Sequence, residues 1–427
     1  MNAIEKYLQC YAEPESADLE AFPAGFSRTL VIPAYRESAD ILQRLSALCR
    51  QQPGTLVILV LNRPDSDHSA TLWREAFDTA LALLPVRWCG LHSPLKLHQQ
   101  PASGALLIID RCSVPIPAAS GVGLARKIGN DIASQLIHLG KVQSPWIANT
   151  DADARLPAGY FSAQDKADNR AAALIYPFRH IFVDDCPKLP TLLYEYSLHY
   201  YVAGLSWAGS NYAYHTIGST LTVNYRHYCQ VRGFPKRPAA EDFYLLNKLR
   251  KTGAITSLQT PVIELEARHS SRVPFGTGPA VSAIALLNDA LQWPLYHPDS
   301  FVYLRCFLQL LELLAARQVT LAQACEQLQM APLSAPLLCQ LAEALNLDRA
   351  VSHCYRVGDS ADKRRRSLQE WFDGFRTLKF VHLLRDRSLG SVNFRQLNSE
   401  HKAHPVTVSS AIMSAAVLTI TTLSACP

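Results

Sequence analysis

The sequence predicts an α/β protein with a largely parallel sheet, followed by an additional helical region. Three observations predict it. Short β-branched runs alternate with amphipathic stretches through the N-terminal half, the rhythm of strands and helices taken in turn. One run, Thr55 to Leu61, is continuously apolar after its first residue, as a strand buried on both faces requires. From about Pro279 onward the apolar spacing becomes helical.

The elements follow in order. Arg28-Thr29-Leu30-Val31-Ile32-Pro33 is a short strand ended by proline. Ala39 to Arg50 then places Ile41, Leu42, Leu45, Leu48 and Cys49 on one helical face. The Thr55–Leu61 strand stops at Asn62-Arg63-Pro64-Asp65, which has turn chemistry. After a looser stretch, Leu106-Leu107-Ile108-Ile109-Asp110 is a further strand ending in a carboxylate. Gly121 to Gly140 reads as a helix with Leu124, Ile128, Ile132, Leu136 and Leu139 inward, and Trp146-Ile147-Ala148 as the next strand. Asp151 and Asp153 lie just beyond its carboxyl end, where ligands gather in open α/β sheets. Thr320-Leu321-Ala322-Gln323 is a capping box, and Leu341–Leu347 and Ser367–Leu384 extend the helical region. The expected organisation is an N-terminal extension over 1–27, an α/β domain over 28–280, a helical region over 281–400 and a tail over 401–427.

At 427 residues the chain exceeds the usual single-domain size. Its 48% hydrophobic and 18% charged content is globular. The formal charge of +5 suits anionic small molecules or a membrane surface. It falls short of the concentrated basic patch of a nucleic-acid binder, so no nucleic-acid partner is expected. Eleven cysteines, from Cys10 to Cys426, include no CxxC pair; they read as buried thiols of a reducing, cytoplasmic compartment. Met1 to Glu20 carries acidic residues without an apolar run, so a secretory leader is not expected. Pro405 to Pro427 is uncharged and approaches the ~20 residues that span a bilayer. Ser and Thr dilute its hydrophobicity, and a docked strand or disordered tail is expected instead.

Two carboxylates one residue apart at a strand end, as in Asn149-Thr150-Asp151-Ala152-Asp153, can meet a divalent cation that also holds phosphate oxygens. Such triplets also occur as solvated turns and helix caps. Three further segments give it company. They are Val31-Ile32-Pro33-Ala34-Tyr35-Arg36-Glu37-Ser38, Gly121-Val122-Gly123-Leu124-Ala125-Arg126-Lys127-Ile128-Gly129, and Gly233-Phe234-Pro235 followed by Ala240-Glu241-Asp242-Phe243-Tyr244-Leu245. In this order they resemble family 2 glycosyltransferases over residues 28–280. Three positions depart from that family's pattern. Arg36 and Lys127 stand where asparagine is usual, and Arg232-Gly233 replaces a glycine pair.

The resemblance implies a GT-A fold, a mixed sheet flanked by helices, in a hexosyl-transferring enzyme. It implies a nucleotide-diphospho-sugar donor, a hydroxyl acceptor, Mg2+ or Mn2+, and inversion by direct displacement. Pro33, Tyr35, Glu37 and Asn62 are then the candidates for donor binding at the first strands. Arg126, with Lys127, would complement the diphosphate or support the Asp151 loop, and Asp151 and Asp153 would hold metal and donor. Asp242 would be the general base, and Glu241 would orient it or bind acceptor. In Arg268-His269-Ser270-Ser271-Arg272, His269 is a candidate metal ligand and Arg268 and Arg272 candidate phosphate partners. Structural readings stand beside these: a solvated basic face for Arg126 and Lys127, and an acidic first helical turn for Glu241 and Asp242.

The aromatic stretch Tyr194 to Tyr214 is core at helical spacing, with acceptor contact as its second reading. Lys363 to Arg366 is a solvated helix face, with peripheral membrane contact second. Two rival functions remain. A nucleotidyltransferase would need a glycine-rich basic loop after the first strand, which Ala34 to Ser38 lacks. A catalytically inert nucleotide-sugar-binding homologue would share the fold.

Overall fold

The computed structural model describes residues 1–17, 19–68, 71–90, 94–99, 103–182, 186–267, 276–328, 334–408 and 419–423. The chain forms two compact units. The first is Met1–Asp184 with Thr216–Pro279, and the second is Asp185–His215 with Ala280–Pro427.

The first unit holds strands β1 (Arg28–Ala34), β2 (Thr55–Pro64), β3 (Val86–Cys89), β4 (Leu95–Gln99), β5 (Ala105–Ile116), β6 (Trp146–Asn149), β7 (Ala154–Arg155), β8 (Ala173–Ile175), β9 (Phe178–Ile181), β10 (Leu221–Asn224), β11 (Ile255–Ser257) and β12 (Ile263–Glu266). Helices in chain order are α1 (Ala3–Cys10), α2 (Asp40–Gln51), α3 (Thr71–Leu81), α4 (Gly121–His138), α5 (Tyr160–Asp165), α6 (Lys188–Ala208, in the second unit), α7 (Tyr225–Gln230) and α8 (Glu241–Leu249).

The main sheet has nine strands in the order β11-β8-β10-β6-β1-β2-β5-β4-β3. Its centre, β6-β1-β2-β5, is parallel. Antiparallel pairs flank that centre, β10 against β6 and β4 against β5. The sheet is therefore mixed, as the resemblance implies, rather than largely parallel, as the alternation of strands and helices predicts. A smaller sheet runs β7-β12-β9.

β1 continues through Pro33. The Val31 carbonyl bonds toward β6, accepting from the Thr150 N–H. Pro33, two residues on, faces the same side. There the pairing with β6 has already ended, at Val31, so the missing proline N–H leaves no ladder bond unmade. β2 likewise runs past the residues that read as a turn. Asn62 pairs with Arg111 and Pro64 with Ile116, with an irregular register between them. A bulge lets the strand absorb Pro64, and the turn begins only at Asp65. The looser stretch after it contains α3 and the β3–β4 hairpin.

α2 buries Ile41, Leu42, Leu45 and Cys49, and α4 buries Leu124, Ile128, Ile132 and Leu136. α4 differs from a surface helix because its polar side is buried too, including Arg126, Lys127, Asn130, Asp131 and Ser134. Gly129 permits its close approach to the sheet. A Cβ there would lie 2.4 Å from Val31 Cγ1.

The second unit is helical, built on α6 and on helices Asp299–Ala316, Ala335–Ala344, Leu347–Val357, Ala361–Trp371 and Gly374–Leu384. Phe307 packs against Phe372 and Phe380, with ring centroids 4.7 and 4.8 Å away. Tyr196 and Tyr200 of α6 are each 1% exposed within this core. The capping box at Thr320 is present. Leu341–Leu347 is divided by Asn346, whose φ of +59° ends one helix before the next begins. Ser367–Leu384 is also two helices, the second capped by the Asp373 side chain. Within the basic run, Arg364 donates to the Ala315 carbonyl and Arg365 pairs with Glu312 and Asp362. Most of the uncharged tail lies outside the described residues, although Val406 and Ile420 join the core. Among the described residues, no helix is long and apolar enough to cross a membrane.

Candidate functional site

The parallel strands β6, β1, β2 and β5 deliver their carboxyl ends to one edge of the sheet. At the end of β1 the chain enters Tyr35-Arg36-Glu37, and Arg36 adopts a φ of +54°. That left-handed conformation is unfavourable for a residue with a Cβ, and asparagine tolerates it better. Here it is over-determined. The Arg36 guanidinium makes a two-pronged pair with Asp67, at 3.1 and 2.9 Å, and lies 5.3 Å from the Tyr35 ring centroid. The Tyr35 hydroxyl donates to the same carboxylate at 2.8 Å. Glu37 is half-buried. Asn62, at the end of β2, is 5% exposed, and its Oδ1 has no hydrogen-bond partner among the described residues. Buried carbonyls without partners are uncommon, and one at a strand's carboxyl end has the chemistry of a ligand contact.

The Asp151 loop is fixed from three sides. Asn149 and Asn130 exchange amide hydrogen bonds of 2.7 and 3.1 Å with neither residue exposed, locking β6 to α4. The Thr150 hydroxyl donates to the Ser219 carbonyl at 3.1 Å. Arg44 of α2 donates to the Ala152 carbonyl at 2.6 Å. Arg126, 2% exposed, then binds Asp151 through Nη2 at 2.5 Å and Glu241 through Nε at 2.9 Å. Its Nη1 is buried without a partner among the described residues. Gly218 makes room for this guanidinium, since a Cβ there would sit 2.4 Å from Nη2. The Asp151 side chain remains 37% exposed, so it is held from within the protein and open from without. Asp153 is half-buried.

Lys127 turns to a different place. It bonds Asp131 at 2.7 Å, the Tyr7 hydroxyl at 2.8 Å and the Tyr11 carbonyl at 3.0 Å. Asp131 also accepts from the hydroxyls of Tyr7 and Tyr228 and from the Glu13 N–H. This buried cluster ties the N-terminal residues to α4, away from Asp151.

Glu241 and Asp242 open α8. The preceding segment is set by a 2.9 Å bond from the Gly123 N–H to the Arg237 carbonyl, and a Cβ on Gly123 would meet the Pro235 carbonyl at 2.4 Å. Ala240 has a φ of +57°, and Arg232, at the departure from the glycine pair, has a φ of +64°. Three of the four described non-glycine residues with positive φ thus lie within or beside the matched segments, where strain of this kind collects in functional sites. Burial, and then the neighbouring Glu241 carboxylate, push Asp242 up to about 7, with Asp151 adding to the rise. The Phe243 N–H and Arg126 oppose the shift without cancelling it. Arg126 itself is held above its ordinary value: burial opposes the charge, but Asp151, Glu241 and Asp242 outweigh it. Three carboxylates around one guanidinium leave excess negative charge, so one of them retains a proton toward neutrality.

Pro33, Tyr35, Glu37, Asn62, Asp151 and Asp153 therefore lie at or just beyond the strand ends, and Arg126 joins Asp151 to Glu241. Arg268, His269 and Arg272 fall outside the described residues. Asp67, Arg44 and Gly218 carry no motif of their own. The one available signal was an acidic residue close behind a buried strand, in Asp65-Ser66-Asp67. Among the described residues, no group of three or more His, Cys, Asp and Glu side chains is placed to hold a metal ion.

No protein-family model matches the chain, and no curated relative matches it. Among solved structures, it is similar to the mannosyltransferase PcManGT from Pyrobaculum calidifontis in complex with GDP-Man and Mn2+. The identity is 15% and the TM-score 0.35, over 86% of this chain and 91% of that one. It is also similar to S. aureus TarS 1-349 in complex with UDP-GlcNAc, at 13% identity and a TM-score of 0.33, over 88% of this chain and 92% of that one.

Proposed function

We propose that this chain is a glycosyltransferase that moves a hexosyl group from a nucleotide-diphospho-sugar to an acceptor hydroxyl, with inversion, in the cytoplasm. The observation that carries this reading is the Asp151–Arg126–Glu241 bridge beside Asp242, at the carboxyl edge of a parallel sheet centre. It joins Asp151, a carboxylate suited to the donor, to Glu241, whose neighbour Asp242 is suited to proton transfer.

Residues 28–280 are the proposed catalytic region. Pro33, Tyr35, Glu37 and Asn62 would bind the nucleoside end of the donor. Arg268 and Arg272 would meet the diphosphate. Asp242 would take the acceptor hydroxyl proton as the oxygen attacks the anomeric carbon and the bond from that carbon to the diphosphate breaks. A base near neutrality suits that step, because a large fraction of it is ionised near pH 7 while it stays basic enough to accept a proton. Glu241, pinned by Arg126, would hold Asp242 and the acceptor in place. Asp151 and Asp153 would hold Mg2+ or Mn2+, with His269 a third candidate, and the cation would neutralise the departing diphosphate. Their hard oxygen donors fit such an ion, which is commonly held by one or two carboxylates plus phosphate oxygens.

The test is thermal unfolding of the full chain against a panel of UDP-, GDP- and other nucleotide-sugars, with and without Mn2+. A cognate donor at a hundredfold its Kd should stabilise the protein by about 2.7 kcal/mol. A panel that shifts nothing, with or without the cation, would count against donor binding.

A further inference from the structure

We propose that Cys325 and Cys339 form an oxidisable dithiol, a modification site in the helical unit that joins two short helices when a hydroperoxide is present. Their sulfurs are 3.0 Å apart, closer than two unbonded sulfurs ordinarily approach and about 1 Å from bonding distance. The two residues come from consecutive helices, Leu321–Gln327 and Ala335–Ala344. The first is anchored by the Thr320 capping box and the second by the Ser334 side chain. The Ser334 N–H also donates to the Tyr303 hydroxyl at 3.0 Å. The two helices are thus positioned by their caps before any bond forms.

The two thiols differ in access. Cys325 is 3% exposed within the apolar core, whereas Cys339 lies at its margin, partly buried. Burial, and then the hydrogen bond to Cys339, push the Cys325 thiol up to about 12, so the accessible Cys339 meets the oxidant first. Its thiolate attacks the peroxide oxygen, the O–O bond breaks, and sulfenic acid and water result. The Cys325 sulfur then attacks the sulfenic sulfur, the S–O bond breaks, and a second water leaves. Two thiols supply two electrons and two protons, and one peroxide takes both. The resulting bond closes 15 residues, Cys325 through Cys339, around helices too short to be stable alone.

Hydrogen peroxide applied to the full chain tests this. After blocking of free thiols, cleavage at glutamate separates the two cysteines at Glu326. The expected product is two peptides joined by a reducible bond, with a thermal midpoint raised by about 3–6 °C and restored by dithiothreitol. Cys339→Ser should abolish both changes, and the peptide map of the unsubstituted chain gives its own answer should that variant fold poorly. Alkylation of both Cys325 and Cys339 after peroxide, with the exposed Cys10 and Cys89 oxidised instead, would overturn the proposal.

Discussion

The two units bury different chemistry. In the first, Glu15, Asp67, Arg126, Lys127, Asp131 and Glu241 are all buried charged residues. In the second, Asp373 is the corresponding residue among those described, and it serves as a helix cap. The second unit is held by apolar packing such as Phe307 against Phe372 and Phe380. Apolar burial needs no partner group, whereas every buried charge must be matched or neutralised. The first unit accepts that cost around α4, and half of it lies at the proposed site. The Lys127–Asp131 cluster shows that the other half is structural.

The largest expected effect comes from Asp242→Asn. Transfer should fall by roughly 10³-fold, within the range for a lost general base, while donor binding, read by calorimetry, survives. Unchanged transfer would remove Asp242 from its role. The same variant separates function from stability. A carboxyl whose folded value is raised to about 7 favours folding at low pH, and that contribution is lost as pH rises from its unfolded value, near 4, through 7. Asp242→Asn should therefore raise the thermal midpoint at pH 8 and leave it nearly unchanged at pH 4.

Arg126→Ala and Phe307→Ala set the two units directly against each other. Each should cost about 3–5 kcal/mol in urea unfolding, the first by leaving Glu241 buried and unpaired, the second by opening a cavity. Only the first should depend on pH. As pH falls from 8 to 5, the carboxylates left by Arg126 take up protons and the loss shrinks. Equal losses at both pH values for Arg126→Ala would break the comparison.

A smaller effect is expected at His98, which burial holds below its ordinary value, with the charge on Lys96 adding to the shift and the Leu84 carbonyl opposing it. An imidazole depressed in the folded state contributes stability above its unfolded value, lost as pH falls through the folded one. His98→Gln should flatten the acid side of the stability profile between pH 7 and 5. Smallest of all, Arg365→Ala, which removes surface pairs with Glu312 and Asp362, should leave the urea midpoint unmoved.

Several features were legible in the sequence because one short stretch specifies them. The Thr55–Leu61 run is buried throughout as expected, and α4 carries its apolar residues inward. Features set by sheet pairing were harder to read. Pro64 looked like a terminator until a bulged pairing with β5 accommodated it, and the short strands β8 to β12 have too few residues to show a period. Within the candidate site, Arg126 and Lys127 are adjacent basic residues in sequence. Only the packing of α4 separates them, one to Asp151 and Glu241, the other to Asp131 and Tyr7.

By itself, the sequence determined the α/β alternation, the central buried strands, the helical C-terminal region and the placement of Asp151 and Asp153 after a strand. These depend on local periodicity and on turn and cap chemistry, which act over a few residues. The tertiary structure decided the mixed directions of the sheet, the convergence of Tyr35 and Arg36 on Asp67, and the bridge across 115 positions from Arg126 to Glu241. It also decided that Asp242 holds its proton toward neutrality. The physical reason is range. A carboxyl's proton affinity depends on burial and on charges brought close in space, and no window of sequence contains either.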